Sequence, residues 1–357
     1  MNKIPIEVSQ HLRFIGLVSS FFIVYIHGTT LKYSDSIGYD TGVGQLQSLL
    51  SHNVFHVALA VFFISSSFFL FAGVNGFSSI FQQIRKRGVT LLMPYLFWSS
   101  AWLILVYLVK NIFNINLSII DSSLFWHLFF DPLPGQLWFL RDLIFLVLIS
   151  PVFLLVNTYA LIFFTFMVMA WWLHFGTPTV ISLREGYYQL VSNQALAWFL
   201  VGCVLAREPD FFLKRIKNGV PSYLLVVFAL IWIFIPYLSL PGNVAHGISV
   251  ISGSLFLFLS ISLFKRLSGS QVVRFLSSYT LLIYLAHHPA LGVIQSFVIS
   301  INPRSEVLHL ATYLFIPGLV ILAIVVFFGL VDRFFSSFIF VANGGRKLEK
   351  LFKTDCC

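Results

Sequence analysis

The residues with the most chemistry to offer are those that interrupt hydrophobic runs. His27 lies near the end of LRFIGLVSSFFIVYIHGTT (12–30), which opens on Arg13, fourteen positions earlier. On a helix that separation spans about 21 Å at roughly 1.5 Å per residue. With Arg13 at one membrane face, His27 falls in the half of the bilayer nearer the other. An imidazole there either lines a polar cavity or rests, hydrogen-bonded, at the membrane-water boundary. If it lines a cavity, it can take and return a proton near neutral pH.

Three further groups stand in similar surroundings. QLWFLRDL (136–143) carries Arg141 and Asp142 into an apolar segment. Adjacent helical residues project about 100° apart, so each is expected to have a partner other than its neighbour. The pair either snorkels to the headgroups or lines a site. IYLAHHP (283–289) places His287 and His288 on different sides of a helix, so at most one is expected to share a cavity with His27. Pro289 can kink that helix, and a packed histidine there is the alternative. Arg85, Lys86 and Arg87 cluster before GVTLLMPY. Such a cluster reads first as a topology signal, and it also suits a phosphate, which arginine grips through paired donors.

The elements that must position these residues follow from composition. The chain has 357 residues, 58% of them hydrophobic and 10% charged, which a soluble domain does not show. Backbone groups in lipid must be satisfied within the segment, so the spans are expected to be helices. Ten can be placed, near 12–30, 54–73, 89–109, 136–157, 159–176, 194–207, 221–240, 248–264, 275–299 and 309–331. The fourth carries charges and the sixth is short. The expected fold class is an all-α integral membrane protein of about ten transmembrane helices with a central polar cavity. Residues 1–340 would form the membrane domain and 341–357 a basic cytoplasmic tail.

The net charge of +9 is distributed as a topology signal. Of the 22 lysines and arginines, 17 fall on the side shared by both termini. Lys32, Lys110, Arg184 and Arg304 occupy the opposite loops, and Arg141 lies within a span. Basic loops stay inside, so both termini are expected in the cytoplasm and no nucleic-acid partner is needed. The first span lacks a cleavage-like site and is expected to be retained. Cys203, Cys356 and Cys357 form neither a disulfide framework nor a ligand set. His52 and His56 share a helical face without an intervening glutamate, so no metal is expected. The serines 65–67 lack a nucleophile-elbow setting and read as helix-contact residues.

In order along the chain stand Arg13 with His27, VFFISSSFFLFAG, RKRGVTLLMPYLFWS, LWFLRDLIFLVLISP, ALAWFLVGCVLAR and LLIYLAHHPAL. Together these resemble membrane acyltransferase family 3, whose members include O-acetyltransferases of bacterial envelope glycans. The resemblance implies a ten-helix domain that takes an acetyl group from cytoplasmic acetyl-CoA. The acceptor would be a hydroxyl of a polysaccharide or lipid-linked sugar at the outer face of an inner membrane. By match to the motifs, His27 would be catalytic, Arg85 and Arg87 would hold the donor, and Arg141 and His287 would serve substrate or oxyanion. Arg13 stands nearly one turn before the family's usual arginine position, which Gly16 occupies, yet can reach the same face. Ser67 replaces the family's glycine.

Within that chemistry, Asp142 is the carboxylate placed by depth to steady the imidazolium. Trp138, with Trp126 and Tyr188, would stack on sugar or form an interfacial aromatic belt. The chain ends soon after its tenth span, so it is expected to acylate its acceptor unaided. The competing expectation is a glycan transporter that uses the same residues for passage without acyl transfer.

Overall fold

The computed structural model describes residues 4–31, 41–113, 128–130, 132–176, 179–184 and 188–349. Trp126 and the terminal cysteines lie outside the described residues. Each of the ten expected spans corresponds to a helix. The first is Ile6–His27, the second Gly42–Phe71 and the third Phe77–Ile112. The fourth is Trp138–Ile149, continued after a break by Val152–Leu155. The fifth is Thr158–Phe175 and the sixth Asn193–Leu205. The seventh, Ser222–Phe234, follows Pro209–Asn218 at a bend of 100°. Gly242–Leu259, Thr280–Ile301 and Glu306–Phe334 complete the set.

By length and hydropathy, seven of these helices are able to cross a membrane, or eight with the bent pair taken as one. The fourth and sixth are short, as their charges and length suggested, and the seventh helix, Ser222–Phe234, is as short as the sixth. The protein is an all-α multi-pass membrane protein.

Helix ends follow local chemistry. Thr41, Asn157, Ser192 and Ser270 each accept a backbone N–H three residues on, satisfying donors that a helix start leaves open. Gly176 and Gly219 stop helices at positive φ, 77° and 62°. Pro289 lies inside a helix that continues unbroken from Thr280 to Ile301. Large apolar side chains such as Phe163, Phe166, Phe315 and Phe327 are exposed, as lipid-facing residues are in a protein stripped of its bilayer. A two-stranded antiparallel hairpin, β1 (Thr179–Arg184) and β2 (Tyr188–Ser192), occupies a loop in which the sequence signalled no strand.

The chain divides into two compact units. The first comprises Met1–Phe62, Glu208–Phe334 and Lys347–Cys357. In it the first span packs on the ninth, the ninth on the tenth, and the seventh on the eighth. The second comprises Phe63–Arg207 and Phe335–Arg346. There the fifth span packs on the sixth, and the fourth on the sixth and on β2. The sixth span approaches the second through Gly202, where a Cβ would lie 1.9 Å from Ser67 Oγ. Small residues in such contacts let membrane helices meet closely, which is the helix-contact role expected of the serine run.

Candidate active site

In the first unit the sequence-marked histidines converge. His27 closes the first span and is half-buried. Its ring centroid is 5.2 Å from that of His287 and 5.2 Å from that of His288. The centroids of His287 and His288 are 6.2 Å apart, so the three rings form a triangle. The expectation that only one of the consecutive histidines would share His27's surroundings is therefore corrected. Two side chains about 100° apart on a helix can both reach a ring that sits over the sector between them, and His27 does so from the end of a neighbouring helix.

His287 is fully buried, with Nδ1 on Ile283 O at 3.0 Å. Its Nε2 has no hydrogen-bond partner among the described residues. A buried polar atom left open is costly; with Nδ1 donating to the Ile283 carbonyl, Nε2 of the neutral ring is an acceptor that a substrate hydroxyl would satisfy.

The end of the first span is held rigidly. Gln295 Nε2 donates to Gly28 O, and Ser51 Oγ donates to Tyr25 O at 3.1 Å while bonding Tyr313 Oη at 2.9 Å. Just beyond, Gln47 Oε1 accepts from Thr30 N at 2.9 Å, and Thr30 Oγ1 meets His309 Nδ1 at 2.8 Å. Gly28 is required by space: a Cβ there would lie 2.9 Å from Pro317 Cγ. This scaffold of Gln47, Gln295 and His309 was not singled out from sequence. Lone polar residues in apolar runs were the only sign of it. Arg13, in the same unit, is exposed.

A second histidine group in this unit joins His52, His56 and His246, with His56 and His246 rings 5.1 Å apart. His56 Nδ1 bonds His52 O at 2.8 Å. Among the described residues no three His, Cys, Asp or Glu side chains are grouped to hold a metal ion.

The second unit collects the arginines. Arg141 and Asp142 are both buried and form an ion pair, Nη2 to Oδ1 at 2.9 Å with Nε at 3.2 Å. This corrects the expectation that neighbours on a helix would not neutralise each other. The guanidinium, on its long stem, folds back to the short carboxylate beside it. Each also has the further partner that was expected. Arg141 Nη1 donates to Phe130 O at 2.8 Å, and Asp142 Oδ2 accepts from Ser192 N at 3.0 Å. Both Asp142 oxygens thus already accept hydrogen bonds. Asp142 ties Arg141 to the start of the sixth span, where Ser192 is the N-cap.

Arg141 and Arg87 line one cavity of about 400 Å³, with Ile84, Leu91, Tyr95 and Phe145 among its walls. The walls are mostly apolar, where the sequence suggested a polar cavity. Tyr95 spends its hydroxyl on Phe129 O at 3.2 Å, so the two guanidinium groups supply most of the polarity. Arg87 ends the helix Phe77–Arg87, and a wide π turn, Gly88–Leu92, follows it. Such turns re-aim the helix and often mark functional positions. Its Nη2 reaches Ser66 O at 3.4 Å. Arg85 is exposed on the same helix. Trp138 is half-buried, edge-on to Phe139, and does not line the cavity.

The acyltransferase family 3 model, described as an acyltransferase domain, matches residues 14–332. The chain belongs to this family. Membership supports acyl transfer in general and extends over nearly the whole chain. No curated protein and no solved structure matches it.

Proposed function

We propose that this chain moves an acetyl group from acetyl-CoA to a hydroxyl of a cell-envelope polysaccharide or lipid-linked sugar. The observation that carries the reading is the His27–His287–His288 triangle at the end of the first span, with His287 Nε2 buried and open. In this reading the imidazole of His27 takes the proton of the acceptor hydroxyl as its oxygen attacks the thioester carbon. The tetrahedral intermediate then collapses, the carbon–sulfur bond breaks, and the imidazolium returns the proton to the leaving thiolate. A nucleophilic His27 would instead carry the acetyl group itself and give ping-pong kinetics.

Arg87 is assigned to the donor's phosphates and the apolar cavity to its pantetheine arm. Arg141 is assigned to the oxyanion, where a fixed cation in a dry site acts strongly. The bonds of Asp142 support a positioning role toward Arg141. Arg85 and Arg13, both exposed, are assigned to steering the anionic donor. Trp138 is assigned to the acceptor sugar. The setting would be a bacterial inner membrane with both termini cytoplasmic, as the basic loops indicate. Reporter fusions at Asn343 and Asn243 should then report inside and outside.

The test is mass spectrometry of envelope glycans from strains with and without the gene, paired with acetyl-CoA turnover by the purified protein. The reading expects the polymer to persist without its ester when the gene is absent. Loss of the polymer itself, with no acetyl-CoA consumed, would return a transporter.

A further inference from the structure

The last helix of the second unit, Ser336–Ala342, is followed by Asn343, Gly344, Gly345 and Arg346. Gly344 and Gly345 both have left-handed backbones, φ 61° and 76°. Gly345 N donates to Phe340 O at 2.7 Å and Gly344 N to Val341 O at 3.2 Å, closing the helix in a Schellman turn. The turn brings the chain onto the start of the third span. A Cβ on Gly344 would lie 2.7 Å from Thr90 O and 3.2 Å from Pro94 Cγ, and one on Gly345 would lie 3.1 Å from Val89 Cγ1. Glycine is thus demanded twice over, by φ and by space. Trp98 Nε1 donates to Ala342 O at 3.2 Å and Asn343 Nδ2 to Arg346 O at 3.1 Å, fixing the turn on both sides.

The turn thus seats the chain leading into Arg346 on Val89 and Thr90, two and three residues beyond Arg87, within reach of the Arg87 charge. Burial, and then the Arg87 charge, push Arg346 down to about 10, so it is still a cation at neutral pH. The residue as a whole is nevertheless exposed, so an anion can reach it from solvent. Neither arginine has a carboxylate partner among the described residues. Each holds a carbonyl at the long distance of 3.4 Å, Ser66 O for Arg87 and Asn343 O for Arg346. Two cations that feel each other's charge and have such weak partners repel, and an anion placed between them reverses the sign of that interaction.

We propose that Arg87 and Arg346 grip one phosphate of the incoming acyl donor between them, with the double-glycine turn serving to deliver Arg346. This rests on the donor reading above and adds to it a residue from the far end of the chain. A phosphate could also come from an anionic lipid headgroup, and the test separates the two sources.

The protein, reconstituted in nanodiscs of phosphatidylcholine alone or with phosphatidylglycerol, is titrated with CoA. Arg87→Gln and Arg346→Gln should each weaken CoA binding about tenfold, as expected for one charged hydrogen-bonding partner. The double variant should lose clearly less than the product of the two, because both contacts serve one group. Arg346→Lys should recover only part of the affinity, since it keeps the charge without the fork. CoA should raise the melting temperature of the wild type and fail to do so for Arg346→Gln, which a purely structural arginine would not predict.

If Arg346→Gln binds CoA as tightly as wild type while Arg87→Gln does not, the donor reading stands and this inference falls. It falls equally if Arg346→Gln loses only its retention of phosphatidylglycerol. Absence of CoA binding to the wild type in either lipid would overturn the donor reading and the inference with it.

Discussion

The two functional groups of this protein solve opposite problems of polarity in a membrane. In the first unit His27 and His288 are half-buried and His287 is fully buried, and each ring has another imidazole as a neighbour. The arginines of the second unit are permanently charged. Arg141 is buried against Asp142 and a carbonyl, while Arg87 looks into an apolar chamber. A group that must gain and lose a proton has to tolerate both charge states, so it cannot be locked into an ion pair. A buried group that must stay charged and hold still is served by such a pair, as Arg141 is by Asp142. The difference points to a division of labour, with proton chemistry at the rings and grip on an anionic, partly apolar molecule at the guanidinium groups.

The largest expected effect breaks the histidine side. His27→Ala and His27→Gln should insert normally and lower turnover by roughly 10²–10⁴-fold, the usual range for a positioned acid-base group. Turnover within a few-fold of wild type in either variant would remove the rings from the chemistry.

On the arginine side, Asp142→Ala leaves Arg141 buried without its carboxylate. It should destabilise the protein by about 3–5 kcal/mol, read from thermal unfolding in detergent. Replacing both residues with leucine should restore much of that stability without restoring activity. Restored activity would make the pair purely structural.

Smaller effects compare the two supporting glycines. Gly28→Ala crowds Pro317 beside the rings, and Gly202→Ala crowds Ser67 between two helices. Each overpacking should cost about 1–3 kcal/mol. Gly28→Ala should also lower the rate at saturating donor, and Gly202→Ala chiefly the melting temperature. Equal rate losses in the two would blur the comparison.

Much of the scaffold was legible because lipid leaves the chain few options. Ten apolar runs correspond to helices, seven or eight of them long and apolar enough to cross a membrane, and the two runs marked as short or charged are among the shortest. His27, Arg141 and His287 were visible because an ionisable residue in an apolar run is conspicuous, and Arg87 because it stands in a basic cluster at the edge of one. What sequence reasoning missed was reach. It treated 100° between adjacent side chains as separation, yet Arg141 folds back onto Asp142, and both His287 and His288 reach His27. It passed over Gln47, Gln295 and His309, whose roles depend on contacts more than a hundred residues apart or between helix ends. Arg346 was hidden among tail charges, since only the folded turn packs its neighbours Gly344 and Gly345 on Val89 and Thr90, just beyond Arg87.

The measurement that bears most directly on the division of labour is steady-state kinetics with varied acetyl-CoA and a fixed envelope-glycan acceptor, run on His27→Ala and Arg87→Gln side by side. His27→Ala should bind CoA with wild-type affinity and transfer almost no acetyl group at any donor concentration. Arg87→Gln should show a raised KM for acetyl-CoA and recover most of its kcat at saturation. Full acetylation by His27→Ala, or loss of kcat with unchanged KM in Arg87→Gln, would contradict the account.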